Sequence, residues 1–145
     1  MGVQIYLNFD GRAEEALEFY KRAVGAEVLF VMRCKQAPPP PQGLKPGTED
    51  KILHCTFRIA GTTLNATDGY NTGKAEFKGI SLSLHARDAG EAGRLFAVLA
   101  EGGTVIRPLG ETFFSPSFGM VTDPFGVQWM VLVPGPDPQW AATVE

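Results

Sequence analysis

Two histidines, His54 and His85, are this 145-residue chain's candidates for acid–base chemistry near neutrality. His54 lies in Lys51–Ile59 (KILHCTFRI), where Leu53, Cys55, Phe57 and Ile59 alternate with His54, Thr56 and Arg58. It can serve as a general base, as a ligand anchor, or as an ordinary strand histidine bonded to a neighbour. Arg58, in the same set, can grip a carboxylate through two parallel hydrogen bonds or pair with Asp50 or Asp68. His85 lies near the end of Ile80–Ala86, opposite Ile80, Leu82 and Leu84 and beside Ser81 and Ser83, where a strand end suits a solvated role. Gln4, Tyr6 and Asn8 alternate with Val3, Ile5, Leu7 and Phe9. Thr63, Asn65 and Thr67 do the same within Thr62–Asp68. Phe113, Phe114, Phe118 and Trp129 can wall an aromatic pocket, pack a core or cover an interface.

The apolar sets must meet helices, so the polar sets should share an open face. Gln4, Tyr6, Asn8, His54, Arg58, Asn65, Ser83, His85, Phe113 and Phe118 are therefore the candidate ligand-binding residues. So many donors and acceptors do not make a dry core, because buried polar groups need partners. Cys55 falls in the helix-facing set and reads as a buried, inert thiol.

The elements that position these residues occur twice. Val3–Val28 reads as strand, turn, amphipathic helix and the start of a second strand, and Ala13–Val28 recurs in spacing at Gly90–Val105, 77 positions later. Asp10-Gly11 is the expected turn and N-cap of the first helix, about Ala13–Ala23, with Gly25 as its left-handed stop. Ala26–Arg33 is the second strand. Lys51–Ile59 and Thr62–Asp68 complete a β-α-β-β-β unit over residues 1–69. Inside it, residues 34–49 hold Pro38–Pro41, which no helix or sheet interior accepts, so this stretch is an exposed loop. Residues 70–79 link to a second unit over 80–133, with Asp88 and Glu91 as N-cap and N3 of its helix. Strands are expected at Thr104–Pro108, Phe118–Asp123 and Val127–Val133, with a loop over Leu109–Pro116. Residues 134–145 form a tail, where Trp140 can dock on the body. The fold class is α+β, two βαβββ modules in tandem within one structural domain.

With both repeats placed, the chain resembles the vicinal oxygen chelate superfamily of glyoxalase I, extradiol dioxygenases and bleomycin-resistance proteins. The resemblance rests on Leu17-Glu18-Phe19-Tyr20, Gly25 and the Asp123-Pro124-Phe125-Gly126 turn, and covers Val3–Val133. Tyr6-Leu7-Asn8-Phe9, Ala13-Glu14-Glu15-Ala16 and Phe118-Gly119-Met120-Val121-Thr122-Asp123 resemble the PhnB-like branch. The resemblance implies a curled mixed sheet around a cup, frequent dimerisation, and a divalent metal acting as a Lewis acid. The family's metal positions fall on Gln4, Asn65, Ser81 and Met130. With no carboxylate or imidazole among them, this set is poor for a hard or borderline cation, and no metal is expected.

The remaining bounds are exclusions. Cys34 and Cys55 lack metal-ligand spacing and read as free thiols of a reducing cytoplasm. The start MGVQIYLNFDG lacks the basic and apolar regions of a signal peptide. No apolar run approaches the roughly 20 residues of a membrane span. A net charge of −3 with scattered basic residues argues against nucleic acid. The reading is a cytoplasmic, homodimeric, cofactor-free protein that binds a small molecule in a polar cup, as resistance-type members do. The alternative is a glyoxalase-like isomerase or dioxygenase using Zn, Ni, Mn or Fe. Relatives of this branch are often labelled ubiquinone methyltransferases, but no strand here leads into a glycine-rich loop opening a helix, so S-adenosylmethionine is not expected to bind.

Overall fold

A computed structural model describes residues 1–38, 46–69 and 73–136. Pro39–Pro41, the first part of the linker and Trp140 lie outside the described residues. The chain divides into two compact units, Met1–Ala75 and Glu76–Glu145.

The first unit runs β1 (Tyr6–Asn8), α1 (Ala13–Val24), β2 (Glu27–Arg33), a short 3₁₀ turn at Cys34–Gln36, β3 (Ile52–Ile59) and β4 (Thr62–Thr67). Its sheet has the order β1-β4-β3-β2, with β1 parallel to β4 and the other neighbours antiparallel. The second unit repeats this with β5 (Ser81–His85), α2 (Ala89–Ala100), β6 (Thr104–Gly110), β7 (Ser117–Thr122) and β8 (Gln128–Val133), in the order β5-β8-β7-β6. These are the two tandem βαβββ modules, and their eight strands form two four-stranded sheets.

Each core lies between sheet and helix. Ala16, Leu17 and Tyr20 of α1 are buried with Leu7, Phe9, Cys55, Phe57, Leu64 and Ala66. The Tyr20 ring stacks on Phe57 with centroids 6.3 Å apart. In the second unit, Ala92, Phe96 and Leu99 of α2 are buried with Leu84, Val121, Trp129 and Val131. Leu7, Cys55, Phe57 and Leu64 of the first unit and Leu84, Val121 and Val131 of the second thus lie on the helix side, as expected, whereas Ile80 is exposed.

Several local expectations are corrected. β1 starts at Tyr6, at the edge of its sheet beside β4, and Val3 and Ile5 before it stay exposed. The expected Leu109–Pro116 loop begins later, since β6 continues to Gly110; Pro108 is tolerated there because β6 is an edge. Asp10-Gly11 makes the turn, with φ of 48° and 107°, but does not cap α1. The N-cap residue is Arg12, whose side chain makes no capping bond. The capping carboxylate comes instead from Asp68: one oxygen accepts from the Gly11 and Ala13 N–H groups, each at 2.8 Å. Its other oxygen accepts from Ile52 N–H at 2.8 Å. Gly25 stops α1 with φ 68°, and Asp88 caps α2 by accepting from Glu91 N–H at 2.8 Å, both as expected.

Candidate functional site

Strand register places the polar candidates of the first unit on its helix-free face. Tyr6 lies beside Asn65 across β1 and β4, and Asn65 lies beside Thr56 across β4 and β3. A β-bulge between Val28 and Phe30 then sets Phe30, rather than Leu29, opposite Thr56.

These residues are joined in one run of hydrogen bonds. Tyr6 Oη lies 2.6 Å from His54 Nδ1. His54 Nε2 lies 3.4 Å from Thr56 Oγ1, the longest link. Thr56 Oγ1 donates to Asn65 Oδ1 at 3.0 Å, and Asn65 Nδ2 donates to Gln4 Oε1 at 3.2 Å. Asn65 is buried, while Gln4 and Tyr6 are exposed. Burial, with a smaller contribution from Cys55, pushes the Tyr6 phenol above its ordinary value, so it stays a hydroxyl. The Tyr6 and Phe30 rings flank His54, with centroids 5.5 and 6.0 Å from the imidazole.

Two other candidates stand apart from this run. Asn8 caps the following turn by accepting from Asp10 N–H at 2.9 Å. Arg58 pairs with neither Asp50 nor Asp68. It lies beside Glu27 across β2 and β3, 3.5 Å from that carboxylate, because Asp68 serves backbone N–H groups and Asp50 accepts from Lys35. Cys55 is fully buried on the helix side, and burial pushes its thiol up to about 11.

The same face of the second unit is different in kind. Ser83 is exposed and lies beside Met130, and Met130 lies beside Met120. Phe118 is buried, with Phe114 against it at 5.0 Å and the Arg107 guanidinium 5.4 Å from its ring. Phe113 touches Phe114 at 5.1 Å but is 93% exposed. Trp129 does not share the face of Phe118: it is buried on the opposite side, and its Nε1–H donates to Asp123 at 2.9 Å. Asp123 also accepts from the Phe125 and Val127 N–H groups, which locks the Asp-Pro-Phe-Gly turn. His85 is half-buried rather than solvated, and its Nδ1 is shielded with no hydrogen-bond partner among the described residues.

The positions where the fold's enzymes hold a metal do not fit a divalent cation. Gln4 and Asn65 are bonded to each other, and Asn65 Oδ1 already receives Thr56. Ser81 turns toward Gln128 at 3.5 Å, and Met130 offers only a thioether. Among the described residues no group of three or more His, Cys, Asp or Glu side chains could hold a metal ion.

The family model described as 3-demethylubiquinone-9 3-methyltransferase matches residues 2–132, and the chain belongs to that family. The structure of protein PA1353 from Pseudomonas aeruginosa is 38% identical with a TM-score of 0.78, covering 92% of this chain and 99% of that one. The PhnB protein of Bacillus cereus is 28% identical with a TM-score of 0.76, at the same coverage. This is a PhnB-like protein of the vicinal oxygen chelate superfamily. Protein YjdN of Escherichia coli K12 is 35% identical to this PhnB-like chain over 142 residues, 92% of this chain and 95% of that one. A glyoxalase/bleomycin resistance protein from Albidiferax ferrireducens, 21% identical with a TM-score of 0.56, shares the fold. The methyltransferase wording is a label of the family model, and none of these matches assigns an activity.

Sequence reasoning missed Thr56, which joins His54 to Asn65, and Phe30. Thr56 was legible from its place between His54 and Arg58 in the alternation. Phe30 was not, because a bulge is invisible to a strict period of two.

Proposed function

We propose that this PhnB-like protein binds a small polar molecule, without a metal, on the helix-free face of β1, β4 and β3. The observation that carries this is the run Tyr6–His54–Thr56–Asn65–Gln4, internally satisfied in its middle and exposed at both ends. A face built for a cation would leave oxygens or nitrogens free to converge, whereas these side chains spend theirs on one another. Two buried free cysteines support a cytoplasmic setting, and no helix among the described residues is long and apolar enough to cross a membrane. Exposed apolar residues on the edge strands, Leu29 of β2 and Val105 and Ile106 of β6, support a homodimer.

A thermal-shift screen of metabolites and antibiotics, with and without Zn²⁺, Ni²⁺ or Mn²⁺, tests the reading. The expected result is a metal-independent stabilising ligand whose effect is lost in Thr56→Val. Stoichiometric metal by elemental analysis, abolished by Gln4→Ala, would instead favour the glyoxalase-like enzyme. S-adenosylmethionine, included in the same screen, is expected to give no shift. Sedimentation equilibrium on the same samples should return the dimer mass, and a monomer at micromolar concentration removes that part of the proposal.

A further inference from the structure

The run of hydrogen bonds has a direction, and the direction restricts the ligand. Thr56 has one proton, which it donates to Asn65 Oδ1. Its oxygen can therefore only accept from His54 Nε2, so in the neutral imidazole Nε2 carries the hydrogen and Nδ1 is bare. Tyr6 must then donate to Nδ1. At the other end, Asn65 Nδ2 donates to Gln4 Oε1, and the Gln4 amide nitrogen has no partner among the described residues. Every link points from Tyr6 toward Gln4. A reversed run would require both amides flipped, the other imidazole tautomer and a rotated Thr56 hydroxyl together, so direction is a property of the whole run.

Resting on the small-molecule reading above, we infer that the face presents a hydrogen-bond acceptor at Tyr6 and a donor at Gln4, and so selects a flat molecule bearing an O–H or N–H group at one end and a carbonyl or carboxylate at the other. The Tyr6 hydroxyl has committed its proton to His54 and keeps only lone pairs for a ligand. Gln4 accepts from Asn65 at its oxygen and keeps its NH₂ free to donate. The half-exposed rings of Tyr6 and Phe30 beside His54 offer apolar walls suited to an aromatic or conjugated body.

Long-range ¹H–¹⁵N correlation spectra of the His54 ring, together with titrations of 4-hydroxyacetophenone and 4-methoxyacetophenone, test this. The first compound carries donor and acceptor; the second has lost the donor. The expected tautomer is Nε2–H. The hydroxy compound should shift amide signals around Tyr6, His54 and Asn65 and bind about tenfold more tightly than its methoxy analogue. In Tyr6→Phe that preference should fall to near unity. The Nδ1–H tautomer, equal binding of the pair, or no binding of either at this face would each overturn the inference. The broader reading survives all three outcomes as long as the metabolite screen yields a ligand lost in Thr56→Val, so the two failures are distinguishable.

Discussion

The two modules share one backbone plan and differ at equivalent positions. Register makes the equivalences explicit: Tyr6 pairs with Asn65 as Ser83 pairs with Met130, and Thr56 pairs with Asn65 as Met120 pairs with Met130. Both modules bulge at the same place, between Val28 and Phe30 and between Val105 and Arg107. On this frame one helix-free face holds a hydrogen-bonded run, and the other holds two methionines and a buried phenylalanine. The helices are also secured differently, α1 by Asp68 from beyond β4 and α2 by the adjacent Asp88. Repetition conserves the scaffold, while the chemistry on it is free to diverge.

The difference in capping gives the largest expected effect. Asp68→Ala leaves three buried or half-buried N–H groups without their acceptor and should cost about 3 kcal/mol in denaturant unfolding. Asp88→Ala removes one exposed local cap and should cost about 1 kcal/mol. Equal losses would show that the long-range cap is no more than a local one.

The next effect lies on the helix-facing side, where Cys55 and Gly119 are equivalent, opposite Ala66 and Val131. A Cβ on Gly119 would stand 2.7 Å from the Phe96 ring and 3.0 Å from Leu109, so α2 packs where α1 leaves room for a thiol. Gly119→Ala should destabilise by about 2 kcal/mol through overpacking, with a matching loss of Tm. An unchanged Tm would mean that Phe96 and Leu109 give way freely.

The smallest effect is in alkali. The Cys55 thiol is raised from 9.0 to about 11 in the folded protein. As pH passes 9, the unfolded chain releases this proton while the folded chain keeps it, so stability falls between pH 9 and 11. Below pH 9 the contribution is complete. In Cys55→Ala the decline across that window should be shallower; an identical slope would assign it wholly to other groups.

Much of this architecture was legible in the sequence because it rests on short-range signals. Alternation sorted Gln4, Tyr6, His54 and Asn65 from Leu7, Cys55, Phe57 and Leu64. The 77-residue offset found the second module, and Gly25 and Asp88 marked helix ends through their own local geometry. What escaped depends on contacts made only after folding. Asp68 reads as the end of a strand until β4 brings it to α1. Trp129 reads as a wall until Asp123 holds its indole on the far side. Phe30 changes face through a bulge, and His85 is shielded by neighbours that its strand-end position does not announce.

The carboxylate of Asp68 also sets an order of events during synthesis. Ala13, the first residue of α1, precedes Asp68 by 55 positions, whereas Asp88 precedes the helix that it caps. A 12-residue helix is marginal alone in water. The first helix therefore leaves the ribosome before its cap exists, and the second emerges behind a cap already made.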